Sequence, residues 1–281
     1  MGEVVNIQNP TILDVLSDSS EFQDIPLEEY VQISNTMKLL GIKNFEPINI
    51  TKGCKKPTDI IKLIQIINNK NKKYEFLNLK LCNVTDKVIS EINKNLKALI
   101  LDESLIKNSN IQNNNILTEI SKLNNLKYLS LKNNFKTYKN PITFDFSVFK
   151  NLTSIDLSYN YINVTTIESL IHVKNLKYLN LEGANIITII GNSIEYPFIG
   201  EIISDYIYKM KNLEYLNLNY IIGDEIYEED VEEIQGILDK LPNYLKKLKH
   251  CEVNMLPKDK RLIKFNIDSN EKIFNCKLSH P

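Results

Sequence analysis

The chain has 281 residues, 43% of them apolar and 25% charged, which is the make-up of a folded protein and excludes a disordered one. Its 34 basic and 35 acidic residues leave a net charge of −1, so no overall field draws it to nucleic acid or to an anionic membrane. The basic residues are nearly all lysine, with Arg261 the single arginine; that speaks against guanidinium forks reading phosphates or bases. Abundant asparagine and isoleucine, with no tryptophan, read as codon bias.

Residues 1–24 show no clear period and no basic start leading into an apolar core, so a signal peptide is not expected. Gly2 is followed by Asn6, where a myristoylation site wants Ser or Thr. Cys54, Cys82, Cys251 and Cys276 are scattered without a C-x-x-C pair, which suits a reducing compartment. The expected location is the cytoplasm, with the nucleus open. From residue 25 to 42, Leu27, Tyr30, Val31, Ile33, Met37, Leu40 and Ile42 recur at helical spacing, and Gly41 stands near the end as a stop. A helix here would cover the exposed apolar end of a repeat array.

From residue 45 onward the chain carries an internal repeat of roughly 20–30 residues. It is plainest in LNNLKYLSLKNN, NLTSIDLSYNYI and NLKYLNLEGANI, between Leu123 and Ile186. Counting the first leucine-class residue as position 1, apolar residues fall at 1, 4 and 6, and an amide or small residue falls at 9. The sets are Leu126, Leu129, Leu131 and Asn134; Leu152, Ile155, Leu157 and Asn160; Leu176, Leu179, Leu181 and Ala184. Earlier copies are Phe45, Ile48, Ile50 and Gly53; Tyr74, Leu77, Leu79 and Cys82; Leu96, Leu99, Leu101 and Ser104. A later one has Leu213, Leu216, Leu218 and Ile221. Before it, Ile199, Ile202, Ile203 and Ile207 suggest a full α-helix, and after it DEIYEEDVEEIQGILDKL reads as an amphipathic helix with a dense acidic run. YLKKLKHCEV reads as a poor repeat with His250 in an inward slot, and Leu262, Phe265, Ile267 and Asn270 as another degenerate one.

The pattern L-x-x-L-x-L-x-x-N resembles that of the leucine-rich-repeat family, with a mixture of short and cysteine-containing copies of the intracellular type. The resemblance implies an α/β fold: a curved solenoid with a concave parallel β-sheet and helices on the convex side. Positions 4 and 6 point to one side of a strand, and the amide at 9 turns in to bond neighbouring loops. On that footing Ser104, Ala184 and Ile221 should give poorly bonded turns. The expected organisation is a helical cap over 1–44, repeats over 45–222, and closing repeats with a cap over 223–281.

In such a fold the residues between the leucines form the concave surface. Position 3 reads Tyr128, Ser154, Tyr178 and Tyr215 in the clearest repeats, position 5 reads Asp156, Asn180 and Asn217, and position 8 brings Tyr159 and Tyr220. With Glu182, these make a tyrosine-rich stripe, and tyrosine offers large rigid contact area at low entropy cost. Tyr128, Asp156, Tyr159, Tyr178, Asn180, Glu182, Tyr215, Asn217 and Tyr220 are the expected protein-binding residues. The competing reading is that the tyrosines only pack on cross-strand neighbours. For the acidic run from Asp224 to Glu233, a solvated helix face outweighs a docking patch. Of the three histidines, His172 and His280 have no evident carboxylate or nucleophile partner, and no nucleotide, hydrolase or zinc motif occurs. The expectation is a non-enzymatic interaction module with a protein partner and with no cofactor, metal, nucleic acid or membrane. A buried subunit of a larger assembly and a ubiquitin-ligase substrate adaptor are the alternatives.

Overall fold

The computed structural model describes residues 47–50, 56–69, 74–105, 114–191, 193–221, 228–255, 263–268 and 273–278. The helix expected over 25–42, the slots at Phe45, Gly53, Leu262 and Asn270, and Asp224 to Tyr227 lie outside these. The chain forms two compact units, residues 1–134 with 151–153, and residues 135–150 with 154–281. Within each, repeats stack as in an α/β leucine-rich-repeat solenoid.

In the first unit the strands are β1 (Pro47–Asn49), β2 (Phe76–Asn78), β3 (Ala98–Ile100) and β4 (Tyr128–Ser130), paired in parallel in that order. Their middle residues, Ile48, Leu77, Leu99 and Leu129, stand opposite one another in register. That is the position-4 leucine ladder the repeat spacing calls for. The chain returns between strands through helices Pro57–Asn69, Asp86–Ser90 and Asn114–Ser121. The first of these buries Ile60, Leu63, Ile64 and Ile67, one stripe at helical period. Thr85 caps the second by accepting from the Val88 N–H. Each fully buried leucine stabilises by about 1.5–3 kcal/mol, and the ladder leucines Leu77, Leu99 and Leu129 have no exposed surface.

In the second unit β5 (Ser154–Asp156), β7 (Tyr178–Asn180), β10 (Tyr215–Asn217) and β11 (His250–Met255) pair in parallel. A smaller sheet lies where the repeats turn back: β6 (Tyr161–Asn163) runs parallel to β8 (Asn185–Ile190), and β9 (Ser193–Glu195) runs antiparallel to β8. Asn163 caps the helix Val164–Leu170 through the Thr165 N–H.

The turn after each strand repeats one geometry. Position 8 is left-handed in both units, with φ of 62° at Leu81, 54° at Glu103, 57° at Asn133 and Tyr159, 59° at Gly183 and 55° at Tyr220. Position 9 then turns inward. Asn134 Oδ1 accepts from the N–H groups of Ser104 and Leu105 at 2.8 Å each, and its Nδ2 donates to Leu101 and Leu131 carbonyls. Asn160 does the same work with the Phe135 N–H and the Leu157 carbonyl. Contrary to the sequence expectation, the Ser104 turn is well bonded: its hydroxyl donates to the Leu79 and Asp102 carbonyls. A hydroxyl is enough where the neighbouring backbone comes close. Cys82 likewise aims its thiol at the Ile50 carbonyl, 2.8 Å away.

Three local readings change. Residues 199–209 do not make one α-helix but a short turn at Ile199–Glu201, a π-helical stretch Ile202–Tyr206 and a 3-10 turn Ile207–Lys209. The wider π turn still buries Ile202 and Ile203, and the 3-10 turn buries Ile207, so the apolar spacing holds but the hydrogen-bond ladder differs. Second, His250 is not inward. It stands opposite Tyr215, and Cys251 and Val253 take the inward slots with 1% and 0% exposure. Third, β12 (Ile263–Asp268) and β13 (Ile273–Leu278) run antiparallel to their neighbours, ending the sheet in a meander rather than in parallel repeats.

Candidate binding face

The outward face of the second unit's sheet is laid out in rows by its register. Ser154, Tyr178, Tyr215 and His250 align at position 3, and Asp156, Asn180, Asn217 and Glu252 at position 5. Along position 3 the rings stack: Tyr178 on Tyr215 with centroids 5.5 Å apart and planes at 20°, and Tyr215 on His250 at 5.0 Å and 11°. Strands about 4.8 Å apart impose this spacing on any aromatic side chains that share a row.

The position-5 row serves the backbone first. Asp156, Asn180 and Asn217 each accept through Oδ1 from the N–H two residues on, at Ser158, Glu182 and Asn219. These turns fix the strand exit. The remaining atoms build a network: Asn180 Nδ2 donates to Asp156 Oδ2 at 3.0 Å, and Asn219 Nδ2 to Glu252 Oε2 at 2.9 Å. Glu252 Oε1 also lies 2.7 Å from His250 Nε2 and 3.4 Å from the Tyr215 hydroxyl. Tyr159 donates its hydroxyl to Glu182 Oε1, and Asn217 Nδ2 stands 3.5 Å from Glu182 Oε2.

On the other flank of the ring row, Glu214 sits between two lysines, with Lys177 Nζ at 2.6 Å and Lys249 Nζ at 2.5 Å. Those two hydrogen bonds hold the Glu214 carboxyl below the usual range. Burial, followed by the Glu252 charge, pushes the Tyr215 phenol up, with Asp156 and Glu182 adding to it. Its hydrogen bond to Glu182 and then burial raise Tyr159 to about 12.

The nine residues expected from sequence divide between the units. Tyr128 lies on β4 of the first unit, half-buried. Asp156, Tyr159, Tyr178, Asn180, Glu182, Tyr215, Asn217 and Tyr220 all belong to the second. Of these, Asn217 is buried, while Tyr159 and Tyr220 are 41% and 40% exposed. In the first unit Phe76, Ala98 and Ile100, at positions 3 and 5, are no more than 2% exposed, whereas Leu81 at position 8 is 40% exposed. Sequence reasoning missed His250, Glu252 and Glu214. The signal was present in Leu248, Cys251 and Val253 at the 1, 4 and 6 spacing, and it needed only cysteine read as an inward residue.

Elsewhere in the second unit, Asp145, Ser147, Glu168 and His172 border an open depression of about 300 Å³. Asp145 accepts from the Ser147 N–H at 2.9 Å and caps the 3-10 turn Phe146–Val148, a structural task. Among the described residues no group of three or more His, Cys, Asp or Glu could hold a metal ion, and no helix is long and apolar enough to cross a membrane.

No protein-family model matches the sequence, and no curated protein matches it. Among solved structures, a leucine-rich-repeat protein of Leptospira interrogans is 19% identical with a TM-score of 0.41, covering 69% of this chain and 54% of its own. An internalin of Listeria monocytogenes is 15% identical with a TM-score of 0.39, covering 70% of this chain and 50% of its own. The chain thus spans about half the length of these two structures.

Proposed function

We propose that the chain is a non-enzymatic interaction module that holds a protein partner on the strand face of its second unit, in a regulatory or adaptor role. The observation that carries this is the stacked row Tyr178–Tyr215–His250, held in place by register and hydrogen bonds yet partly open to solvent. Rings already fixed in one geometry lose little freedom on binding, so their contact area goes into affinity. Within the row His250 is oriented by Glu252 and by the Tyr215 ring.

The test is a native pull-down with mass spectrometry on the wild-type chain and on Tyr178→Ala/Tyr215→Ala, with circular dichroism to show that both fold. A stoichiometric protein retained by the wild type and lost from the folded variant supports the reading. A partner retained equally by both overturns it.

A further inference from the structure

Building on that protein-binding reading, we propose that the second unit's strand face takes an extended partner segment bearing lysine or arginine, its cationic heads against Glu182 and Glu252 and its stems along the Tyr178–Tyr215–His250 rings. Charge is distributed unevenly across the row. On the position-2 flank, both lysines are spent on Glu214, at 2.6 and 2.5 Å. On the opposite flank the carboxylates are held by uncharged phenol and amide groups and by the His250 imidazole. Glu182 is met by the Tyr159 hydroxyl and the Asn217 amide, and Glu252 by the Tyr215 hydroxyl, the Asn219 amide and His250 Nε2. Phenol and amide bonds orient Glu182 without neutralising it, and they do the same for Glu252 except where a protonated His250 pairs with it.

The result is a fixed, two-sided surface, with aromatic rings along the centre and negative charge along one edge. Long basic side chains match both halves, since their methylene stems cover apolar rings while their heads reach the charge. An acidic or phosphorylated segment would meet Glu182 and Glu252 as like charges, which specific interfaces use to reject partners. The upward shifts of the Tyr159 and Tyr215 phenols agree: the hydrogen bond to Glu182 leads at Tyr159, and at Tyr215 the Glu252 charge adds to burial.

The experiment pans a random 12-residue phage-displayed peptide library on the full chain and measures the best peptides by fluorescence anisotropy. Two folded variants serve as comparisons: Glu182→Gln/Glu252→Gln, which removes charge and keeps shape, and Tyr178→Ala/Tyr215→Ala, which removes the rings. The expected peptides are enriched in lysine or arginine, bind more weakly as salt rises, and lose roughly tenfold or more affinity for each variant. Peptides without basic residues that are lost only by the ring variant would overturn the basic partner while leaving the protein-binding face standing. Peptides that bind all three proteins alike, or no enrichment above bare support, would overturn both. Sedimentation gives the remaining outcome: a wild-type dimer that dissociates in the carboxamide variant would seat a second copy of the chain there and overturn the peptide.

Discussion

The ring of Tyr159 lies directly over Gly183, so close that a methyl group on residue 183 would stand 2.7 Å from both Cδ1 and Cε1 of the tyrosine. Both residues hold position 8 of successive repeats, and both are left-handed, with φ of 57° and 59°. The left-handed backbone favours a glycine without requiring one, since Leu81, Glu103, Asn133, Tyr159 and Tyr220 adopt it at the same position; the neighbour's ring is what leaves no room for a side chain. From that seat the ring's hydroxyl reaches Glu182 at 2.5 Å.

Gly183→Ala should cost about 1–3 kcal/mol, combining the left-handed penalty of a Cβ with displacement of the ring. Urea titration checks this. The double variant Gly183→Ala/Tyr159→Ala should lose less than the sum of the two single changes, because the clash is gone. Strict additivity would mean that the ring and the glycine do not touch.

The Tyr159 phenol gives the pH prediction. Folding raises it from 10 to about 12, first through the hydrogen bond to Glu182. A group whose folded pKa is raised stabilises fully below its unfolded value and loses that contribution as pH rises through the folded one. Stability should fall between about pH 10 and 12. Glu182→Gln should lower the titration of this phenol, read as tyrosinate absorbance, and shrink the fall. An unchanged absorbance titration would place Glu182 away from the hydroxyl.

A periodic pattern encodes burial, and that sets how much of this fold was legible. The leucines at 1, 4 and 6 report burial on one side of a strand, so the repeat, its parallel register and the row of tyrosines could be read directly. Asparagine was harder because it serves several tasks with one side chain. Its task at position 9, filling the turn as Asn160 does, followed from the repeat pattern, but at position 5 it bonds the N–H two residues on, as Asn180 does for Glu182. Just before the first leucine it donates to the preceding repeat, as Asn151 does to Asn124 and Asn175 to Lys150. Read as composition, that abundance resembled codon bias. The π turn at Ile202–Tyr206 and the antiparallel β12 were not legible, because apolar spacing fixes which residues are buried but neither the hydrogen-bond ladder nor strand direction.

The register at β11 is open to a simple comparison. Cys251 is buried and its thiol is pushed up by that burial, whereas His250 is exposed. Cys251→Ser places a hydroxyl in an apolar slot and should cost about 1–3 kcal/mol. His250→Ala removes a ring from the end of the stack and should cost under about 1.5 kcal/mol. Guanidinium denaturation of both measures the order, and a larger loss at His250 would return the histidine to the inward slot.

Asn134 carries the sharpest test of the turn architecture. Its Oδ1 accepts from the N–H groups of Ser104 and Leu105, and its Nδ2 donates to the carbonyls of Leu101, Leu131 and Lys132. Asn134→Ala removes all five at once, and the Leu105 N–H loses its acceptor. With a penalty of about 1–3 kcal/mol for each buried group left unmade, a total near 3 kcal/mol is expected, since the Ser104 N–H keeps its bond to Leu101. Asn134→Asp is the informative companion. It keeps the acceptor but turns a donor amide into a carboxylate facing three carbonyl oxygens, so it should destabilise at least as much at neutral pH and less in acid. Asn175→Ala gives the reference, because that amide makes its single bond to Lys150 at the exposed rim and should cost below about 1 kcal/mol. Equal losses at Asn134 and Asn175 in urea would mean that the position-9 amide does not hold adjacent repeats together. A large loss at Asn134 with a benign Asn134→Asp would assign that work to the acceptor oxygen alone.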